Sequence, residues 1–257
     1  DGTDNSAILD GFIVTAGYPF LSSVSSTTLR GGGVHNSEGS PTLRNLLFSG
    51  NRHCILNDNG SPIIENVTFV GNSGRTLYNI GSAPEVLENV VFENNHGEAA
   101  IYNYEVQGDP VFTNLRFVGN SGSSTAGGIY SKDTDLTLAH VFFENNSGFH
   151  GGAIGHYLGD LTITDSDFEN NSDTAVYLDN GSGTFSNVNF KGNSGRGLRI
   201  QAPSSSNDED IAVTLTDVTF ENNSTTGKGG GLLFNGWRGT LSVLRVRFEG
   251  NSSIEQG

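Results

Sequence analysis

One short pattern of apolar and polar positions recurs nine times along the chain: Phe, any residue, Gly or Asn, then Asn. Its Phe residues are Phe48, Phe69, Phe92, Phe117, Phe143, Phe168, Phe190, Phe220 and Phe248. Successive Phe residues are 21 to 30 residues apart. Self-similarity at this period is typical of a solenoid, in which each repeat forms one coil and buries its apolar side against its neighbours. The pattern therefore predicts an architecture, whereas architecture alone does not specify a function.

The apolar positions before each Phe predict strands that bend. Two residues before Phe the side chain is apolar in every repeat but one, as in Leu46 and Val67, and residues two apart share a face of a strand. Five residues before Phe stands another apolar side chain, as in Leu43 and Ile64. The spacing of three between these rows breaks the alternation of a strand, so a bend is expected between them. Short polar side chains occupy the bend, where they are suited to bonding backbone groups.

A second corner is expected after each Phe. The residue two positions past Phe is Gly or Asn in all nine repeats, and these residues tolerate positive φ most readily. The invariant Asn that follows is expected to stack on its counterparts as a hydrogen-bonded side-chain ladder. The ladder residues are Asn51, Asn72, Asn95, Asn120, Asn146, Asn171, Asn193, Asn223 and Asn251. A third, more variable strand completes each coil.

These features predict an all-β parallel β-helix with three short strands per coil and Asn ladders at its corners. Nine clear coils and a degenerate one around Phe12 give about ten coils in a single domain over residues 1–257. Long inter-strand loops are expected near residues 18–30 and 202–210, and loops on a rigid scaffold are places for specificity. Tyr18, Phe20 and Leu21 could instead fold over the first coil as a partial cap.

Glycine-rich strands accompany the Phe-x-x-Asn motif, for example at 127–129, 151–154 and 230–232. The combination resembles the repeats of chlamydial polymorphic outer-membrane proteins and of other bacterial right-handed parallel β-helix proteins. The resemblance covers nearly the whole chain. It implies right-handed winding and a surface or secreted role, often an adhesive one.

Composition narrows the classes of partner. The net charge is −15, which disfavours nucleic acid and anionic membranes and suits an extracellular or cell-surface setting. No stretch is long and apolar enough to span a membrane, so membrane insertion is not expected. The single cysteine, Cys54, excludes a disulfide within the chain and is expected to be a buried small hydrophobe. No cofactor is predicted.

The two ends of the sequence suggest a way of assembling. The first coil begins a few residues after Asp1, the chain stops six residues after Asn251, and neither end shows an amphipathic capping helix. Uncapped solenoid ends invite strand pairing, so either the chain is a fragment or its ends stack on other copies. We therefore expect a structural or interaction protein, a filament or stalk subunit that assembles end to end with itself.

Sequons suggest glycan decoration. Five lie at expected exposed corners or Asn-Gly turns: Asn59, Asn145, Asn170, Asn180 and Asn222. Three others lie at predicted bend or ladder positions and are expected to be poor acceptors: Asn66, Asn223 and Asn251. An Asn-rich repeat with nearby serines also produces sequons by chance.

Two further hypotheses concern the surface. Thr-x-Thr pairs, such as Thr162 with Thr164 and Thr214 with Thr216, form an array similar to the ice-contacting faces of β-helical ice-binding proteins, although Thr is also simply a good exposed strand residue. Trp237 could stack on a sugar or on a partner, but packing or burial at an interface is the simpler explanation because no aromatic row is evident beside it.

Carbohydrate binding or degradation is the alternative function. A polysaccharide hydrolase needs paired carboxylates, and a lyase needs a base beside acidic Ca²⁺ ligands. Asp165 with Asp167 and Asp133 with Asp135 are the candidate pairs, and 207–210 is a weak candidate for Ca²⁺. The six His residues are scattered, and Asp165 is also explained as a bend residue. The sequence therefore assigns no catalytic and no metal-binding residue.

Overall fold

The computed structural model describes residues 3–17, 32–203 and 210–255, and their strands wind into a parallel β-helix. The strands of neighbouring coils pair in parallel and in register, as between Leu87 and Phe112 or Phe92 and Phe117. Ten successive rungs follow one another along the largest sheet, which corresponds to about nine turns. No helix among the described residues is long and apolar enough to cross a membrane.

The largest sheet, called here the bent sheet, contains the Phe residues of the repeats. Its 15 strands are β1 (Ile8–Asp10), β2 (Ile13–Thr15), β4 (Thr42–Arg44), β5 (Leu47–Ser49), β7 (Ile63–Glu65), β8 (Thr68–Val70), β11 (Val86–Glu93), β14 (Val111–Val118), β17 (Leu136–Ala139), β18 (Phe142–Glu144), β21 (Leu161–Glu169), β23 (Gly183–Lys191), β25 (Ile211–Glu221), β28 (Gly239–Leu244) and β29 (Arg247–Glu249).

Two smaller sheets complete the coils. The second sheet has 11 strands: β3 (Val34–Ser37), β6 (Ile55–Asp58), β10 (Leu77–Ile80), β13 (Ile101–Tyr104), β16 (Ile129–Lys132), β20 (Ile154–Tyr157), β22 (Ser172–Asp179), β24 (Ser194–Gln201), β26 (Ser224–Thr225), β27 (Leu232–Asn235) and β30 (Ser252–Ser253). A four-stranded ribbon contains β9 (Ser73–Gly74), β12 (His96–Gly97), β15 (Ser121–Gly122) and β19 (Ser147–Gly148).

The predicted bend lies within the bent sheet, and the strands on both sides of it belong to that one sheet. The residue three positions before each Phe has a φ of 50° to 55° in all nine repeats. This left-handed conformation turns the chain and lets both apolar rows point inward. Where side chains at this position bond, they bond along the coil stack: Asn45 Nδ2 donates to Asp10 Oδ1 at 2.7 Å and Asn187 Nδ2 to Asp165 Oδ1 at 2.7 Å. Their tolerance of positive φ therefore explains the residue choice better than bonds to the backbone.

The Phe residues form a continuous stack inside the coils. Neighbouring rings along the stack are 4.4 to 5.0 Å apart and within 17° of parallel. Each ring lies on its copy because parallel pairing places the same residue of adjacent coils side by side. The eight rings from Phe48 to Phe220 are fully buried. Cys54 lies in the same core, where burial raises the pKa of its thiol and keeps it unreactive.

The predicted Asn ladder is confirmed in full. Each Nδ2 donates to the Oδ1 of the next ladder Asn at 2.8 to 3.1 Å, from Asn51 to Asn251. The same Nδ2 group also donates to a main-chain carbonyl oxygen one coil back, as from Asn72 to Phe48 at 2.9 Å. The backbone N–H of Asn72 also donates to Oδ1 of Asn95 at 3.0 Å. Every polar group of the buried amide is thus paired, which is what makes its burial tolerable.

A second polar column lies inside the coils and was not predicted. The second sheet places Asn36, Asn57, Asn79, Asn103, Ser131 and His156 in register, all buried. The amides bond along the stack, with Asn36 Nδ2 to Asn57 Oδ1 and Asn79 Nδ2 to Asn103 Oδ1 both at 2.8 Å. Burial lowers the pKa of His156 to about 4, against opposing effects of the Gly159 backbone and of Asp135 and Asp160. The imidazole is therefore neutral at physiological pH.

The predicted loops lie partly outside the described residues. Residues 18–31, including the partial cap proposed at Tyr18, Phe20 and Leu21, are not among them. The same holds for residues 204–209 of the loop predicted near 202–210.

Replacing a central ladder amide is expected to destabilise the solenoid strongly. Asn120→Ala removes the acceptor for the Asn95 N–H and Nδ2 and the donor to Asn146 and Phe92. Each buried group left unpaired costs about 1–3 kcal/mol, so a loss of about 3 kcal/mol or more is expected. Urea unfolding followed by circular dichroism measures it. Asn189→Ala is the matched control, because that exposed amide bonds only Asp167 at 2.8 Å, and its cost should stay within about 0.5 kcal/mol. Equal costs for the two variants would contradict the role given to the ladder.

Acidification should destabilise the fold through His156. Its pKa is about 4 when folded and about 6.5 when unfolded, so between these values only the unfolded chain binds the proton. The free energy of unfolding should therefore fall as pH falls through this window, by about 1.4 kcal/mol per pH unit. His156→Asn, which prolongs the amide column, should flatten this slope, whereas exposed His140→Asn should not. Unfolding curves at several pH values test this, and an unchanged slope in His156→Asn would refute it.

Candidate functional site

The outward face of the second sheet carries a row of tyrosines. Parallel pairing places Tyr78 beside Tyr102 and Tyr102 beside Tyr130. All three are half-buried, with ring centres 5.2 Å and 4.9 Å apart. Two coils further on, the same register position is occupied by Tyr177.

A glycine interrupts the register and a fifth tyrosine restores the row. Gly155 occupies the position between Tyr130 and Tyr177, and a Cβ there would lie 2.1 Å from the carbonyl oxygen of His150. A loop that approaches this closely leaves no room for a side chain. Tyr157, two residues later on β20, supplies a ring 5.4 Å from Tyr130 and 5.5 Å from Tyr177. The resulting tyrosine row consists of Tyr78, Tyr102, Tyr130, Tyr157 and Tyr177.

Cations lie over both ends of the tyrosine row. The guanidinium carbon of Arg75 is 4.2 Å from the centre of the Tyr78 ring and 4.3 Å from that of Tyr102. The guanidinium carbon of Arg199 is 4.7 Å from the centre of the Tyr177 ring. These are cation–π distances, and they fix the terminal rings in place.

Four of the five tyrosines have phenol groups whose pKa is raised. Burial raises the pKa of Tyr102, Tyr130 and Tyr157 above the ordinary value. Burial and the carboxylate of Asp179 raise the pKa of Tyr177 to about 12, and its hydroxyl donates to Asp179 Oδ2 at 3.0 Å. Tyr102 and Tyr130 therefore offer an apolar body and a neutral polar tip, a combination suited to amphipathic ligands. The hydroxyl of Tyr157 is buried without a hydrogen-bond partner in the described part of the chain, and that of Tyr177 is bonded to Asp179.

Two further features lie beside the tyrosine row or on one of its strands. The rings of His150 and Tyr157 meet edge-on, with their centres 5.6 Å apart. Phe149, which is 74% exposed, meets His150 edge-on with the ring centres 4.8 Å apart. A cavity of about 550 Å³ lies at the start of β22, the strand that also carries Tyr177. It is lined by Asp173, Thr174, Ser194, Gly195, Arg196, Ser224, Thr225, Thr226, Gly227, Ser252 and Ile254. We call it the polar cavity.

The five predicted glycan acceptors are exposed. Asn59, Asn145, Asn170, Asn180 and Asn222 all adopt φ of 54° to 55° at corners and turns. Asn223 is fully buried in the ladder, as expected. Asn66 was expected to be a poor acceptor, but its side chain is also exposed, because the bend turns it outward rather than into the coil.

The carboxylate pairs lie on open surfaces. Asp165 and Asp167 accept from Asn187 and Asn189 at 2.7 and 2.8 Å, side chains of the next coil. Asp133 pairs with Lys132 at 3.7 Å, and Asp135 accepts the N–H of Asp160 at 2.7 Å. Across the part of the chain that the structure describes, no group of three or more His, Cys, Asp or Glu could hold a metal ion. Residues 207–209 of the Ca²⁺ candidate lie outside that part, and Asp210 pairs with Arg238 at 2.8 Å.

The threonine array exists as predicted, on the bent sheet. Thr137, Thr162, Thr184 and Thr214 lie in register, and so do Thr164, Ser186 and Thr216. Ala139 and Leu244 flank the second row. Its use against ice stays a prediction. Trp237 is 89% exposed, so packing within the chain does not explain it.

Sequence reasoning missed the tyrosine row. Four strands do carry the signal, since Leu77-Tyr78, Ile101-Tyr102, Ile129-Tyr130 and Val176-Tyr177 repeat an apolar residue followed by Tyr. The fourth ring along the row could not be found this way. Tyr157 stands two residues after the register position that the other tyrosines share.

Comparison with known protein families supports the fold. The family model described as right handed beta helix region matches residues 87–252. No curated protein sequence matches the chain. A crystal structure of the periplasmic alginate epimerase AlgG is similar at 9% identity and a TM-score of 0.45, over 84% of this chain and 61% of that one. A mutant of AlgG is similar at 10% identity and 0.39, over 84% and 62%. The chain thus spans less than two thirds of either.

Glycan attachment should follow exposure where two sequons overlap. After secretion from a glycosylating host, Asn222 should carry glycan and Asn223 should not, because Asn223 is buried and its amide is fully bonded. Peptide mapping by mass spectrometry decides between adjacent residues. Modified Asn223 or an unmodified set of five exposed acceptors would contradict the prediction.

Proposed function

The chain belongs to the right-handed β-helix family, and we propose that it is a cell-surface or extracellular interaction protein that binds carbohydrate along the tyrosine row. The observation that carries this proposal is the unbroken series of five rings on one outward face. Pyranose rings have an apolar face of C–H groups beside hydroxyl edges, which complements aromatic faces with polar tips. The chain's acidity does not oppose a neutral saccharide.

The geometry of the tyrosine row favours an extended ligand. Five rings at centre-to-centre distances of 4.9 to 5.5 Å span about 20 Å. That length suits an oligosaccharide of several units better than a single sugar. Because the rings are supported by paired strands and held at the ends by Arg75 and Arg199, little side-chain freedom remains to be lost on binding.

End-to-end assembly into a filament or stalk is a second proposal and uses a different surface. On the last described rung, Val243 and Phe248 are 57% and 53% exposed, whereas their counterparts Leu215 and Phe220 are buried. A further coil in the same register would bury these side chains, and in this proposal a second copy of the chain supplies that coil. Glycans on the exposed sequons would be compatible with both proposals. We assign no catalytic residue.

Removing a central ring should weaken glycan binding. Tyr130→Ala takes away the ring between Tyr102 and Tyr157, and loss of one stacking contact should lower affinity about tenfold. Affinity electrophoresis against a panel of soluble neutral and acidic polysaccharides finds the ligand, and calorimetry then measures it. Trp237→Ala is the control, since it removes an exposed ring outside the row and should have no effect.

The opposite outcome is equally informative. If no polysaccharide is retained, or if Trp237→Ala rather than Tyr130→Ala abolishes retention, the proposal fails. Sedimentation velocity of the same samples shows whether copies assemble end to end. A single monomeric species at the highest concentration would contradict the filament proposal.

A further inference from the structure

The polar cavity is shaped by a difference in coil length. Leu198 comes five residues after Asn193, so β24 runs directly from the ladder into the second sheet. In the following coil Leu232 comes nine residues after Asn223, because residues 226–231 are inserted between β26 and β27. The start of the inserted segment lines the cavity. The short coils therefore form its floor, and the longer coil forms a wall beside them.

Arg196 connects the floor of the cavity to this wall. It lies on β24, and its Nε donates to the carbonyl oxygen of Lys228 at 2.7 Å. A Cβ on Gly227 would lie 2.7 Å from Arg196 Nη2, so the guanidinium group rests against this glycine. Among the described residues none accepts a hydrogen bond from the two Nη groups of Arg196. They remain as donors that are already fixed in place for a ligand.

Asp173 contributes a carboxylate to the same cavity from the preceding coil. Its register partner is Gly195, where a Cβ would lie 1.7 Å from the carbonyl oxygen of Asp173. Only glycine permits this approach, and its missing side chain leaves space inside the cavity. Within residues 3–17, 32–203 and 210–255 the Asp173 carboxylate forms no ion pair, neither with Arg196 nor with another cation. It is therefore available as an acceptor.

The rest of the lining consists mainly of hydroxyl groups, which both donate and accept. They come from Thr174, Ser194, Ser224, Thr225, Thr226 and Ser252. Apart from glycine, the only apolar lining residue that the structure describes is Ile254, so the lining does not suit a lipid or an aromatic ligand. One carboxylate and one guanidinium balance each other in charge. The volume of about 550 Å³ lies in the range of small-ligand sites. The lining therefore matches an uncharged ligand that carries many hydroxyl groups.

We propose that the polar cavity is a separate carbohydrate site, which binds a neutral mono- or disaccharide through its hydroxyl groups. Sugar hydroxyls donate to the carboxylate of Asp173 and accept from the Nη groups of Arg196, and both hydrogen bonds are strengthened by the charge of the protein group. The serine and threonine hydroxyls bond the remaining sugar oxygens. The site lies at a corner of the coils and uses none of the five tyrosines. It goes beyond the proposed function and can fail without it.

A variant that blocks the cavity tests this site. Ser194→Phe places a ring in the cavity, and Ser121→Phe is the matched control. Both serines stand in the same sequence, Gly-Asn-Ser-Gly, directly after a ladder Asn, but Ser121 lies outside the cavity. The position tolerates a large side chain, since His96 occupies it in the coil that pairs with Ser121. Similar melting temperatures of the two variants would verify that both fold.

The probes are maltose, cellobiose, lactose and mannobiose, each titrated against the full chain by ligand-observed NMR. At least one should bind the wild type. Its dissociation constant should be unchanged in Ser121→Phe and in Tyr130→Ala, and raised about tenfold or more in Ser194→Phe. Asp173→Asn should raise it about fivefold without filling the cavity, because an amide is a weaker acceptor than a carboxylate. Asn also tolerates the φ of 59° at this position.

The variants separate this inference from the proposed function. Equal binding by Ser194→Phe and Ser121→Phe, or binding of no probe to the wild type, would overturn the cavity site. The proposed function would then still be decided by retention of polysaccharides. Loss of disaccharide binding in Tyr130→Ala but not in Ser194→Phe would place the sugars on the tyrosine row, which would support the proposed function and overturn this inference.

Discussion

Parallel pairing at one fixed register is the interaction on which the rest of this structure depends. Once a coil pairs residue for residue with its neighbour, every side chain lies on the equivalent side chain of the next coil. The choice at each position is then restricted to groups that tolerate their own copy. Phe rings stack face to face, and Asn amides donate and accept along one line, so both repeat without unpaired atoms. Charged groups have no such solution in the interior, which explains why the core columns consist of apolar and uncharged polar side chains.

The sequence predicts those parts of the coil whose chemistry leaves one solution. The Phe and Asn columns were found because each Asn stands three residues after its Phe in all nine repeats. The bend was found because Asn45, Asn66 and their counterparts interrupt an alternation of period two. The reason for the bend residues was harder to infer. Their side chains suggest bonds to the backbone, yet the structure shows that the position requires a left-handed backbone conformation. Even His140 and Arg245 adopt this conformation.

The candidate site was less accessible to sequence reasoning, for physical reasons. Between the ladder Asn and the third strand the number of residues varies, with Ile55 four residues after Asn51 and Ile129 nine after Asn120. Alignment on the Phe motif therefore loses the register of the second sheet, and with it the amide column from Asn36 to Asn103 and the tyrosine row. Tyr157 is a stronger case, since its position follows from a loop passing over Gly155, and only packing in three dimensions reveals that.

The tyrosine row is a one-dimensional array in which each coil contributes one ring. Duplication of a coil would insert a ring without disturbing those already present, because each coil contacts only its neighbours. Loss of a coil would shorten the array by the same unit. Such a surface can change its reach during evolution in whole steps, and the length of ligand it selects would change with the number of coils rather than with the design of any single contact.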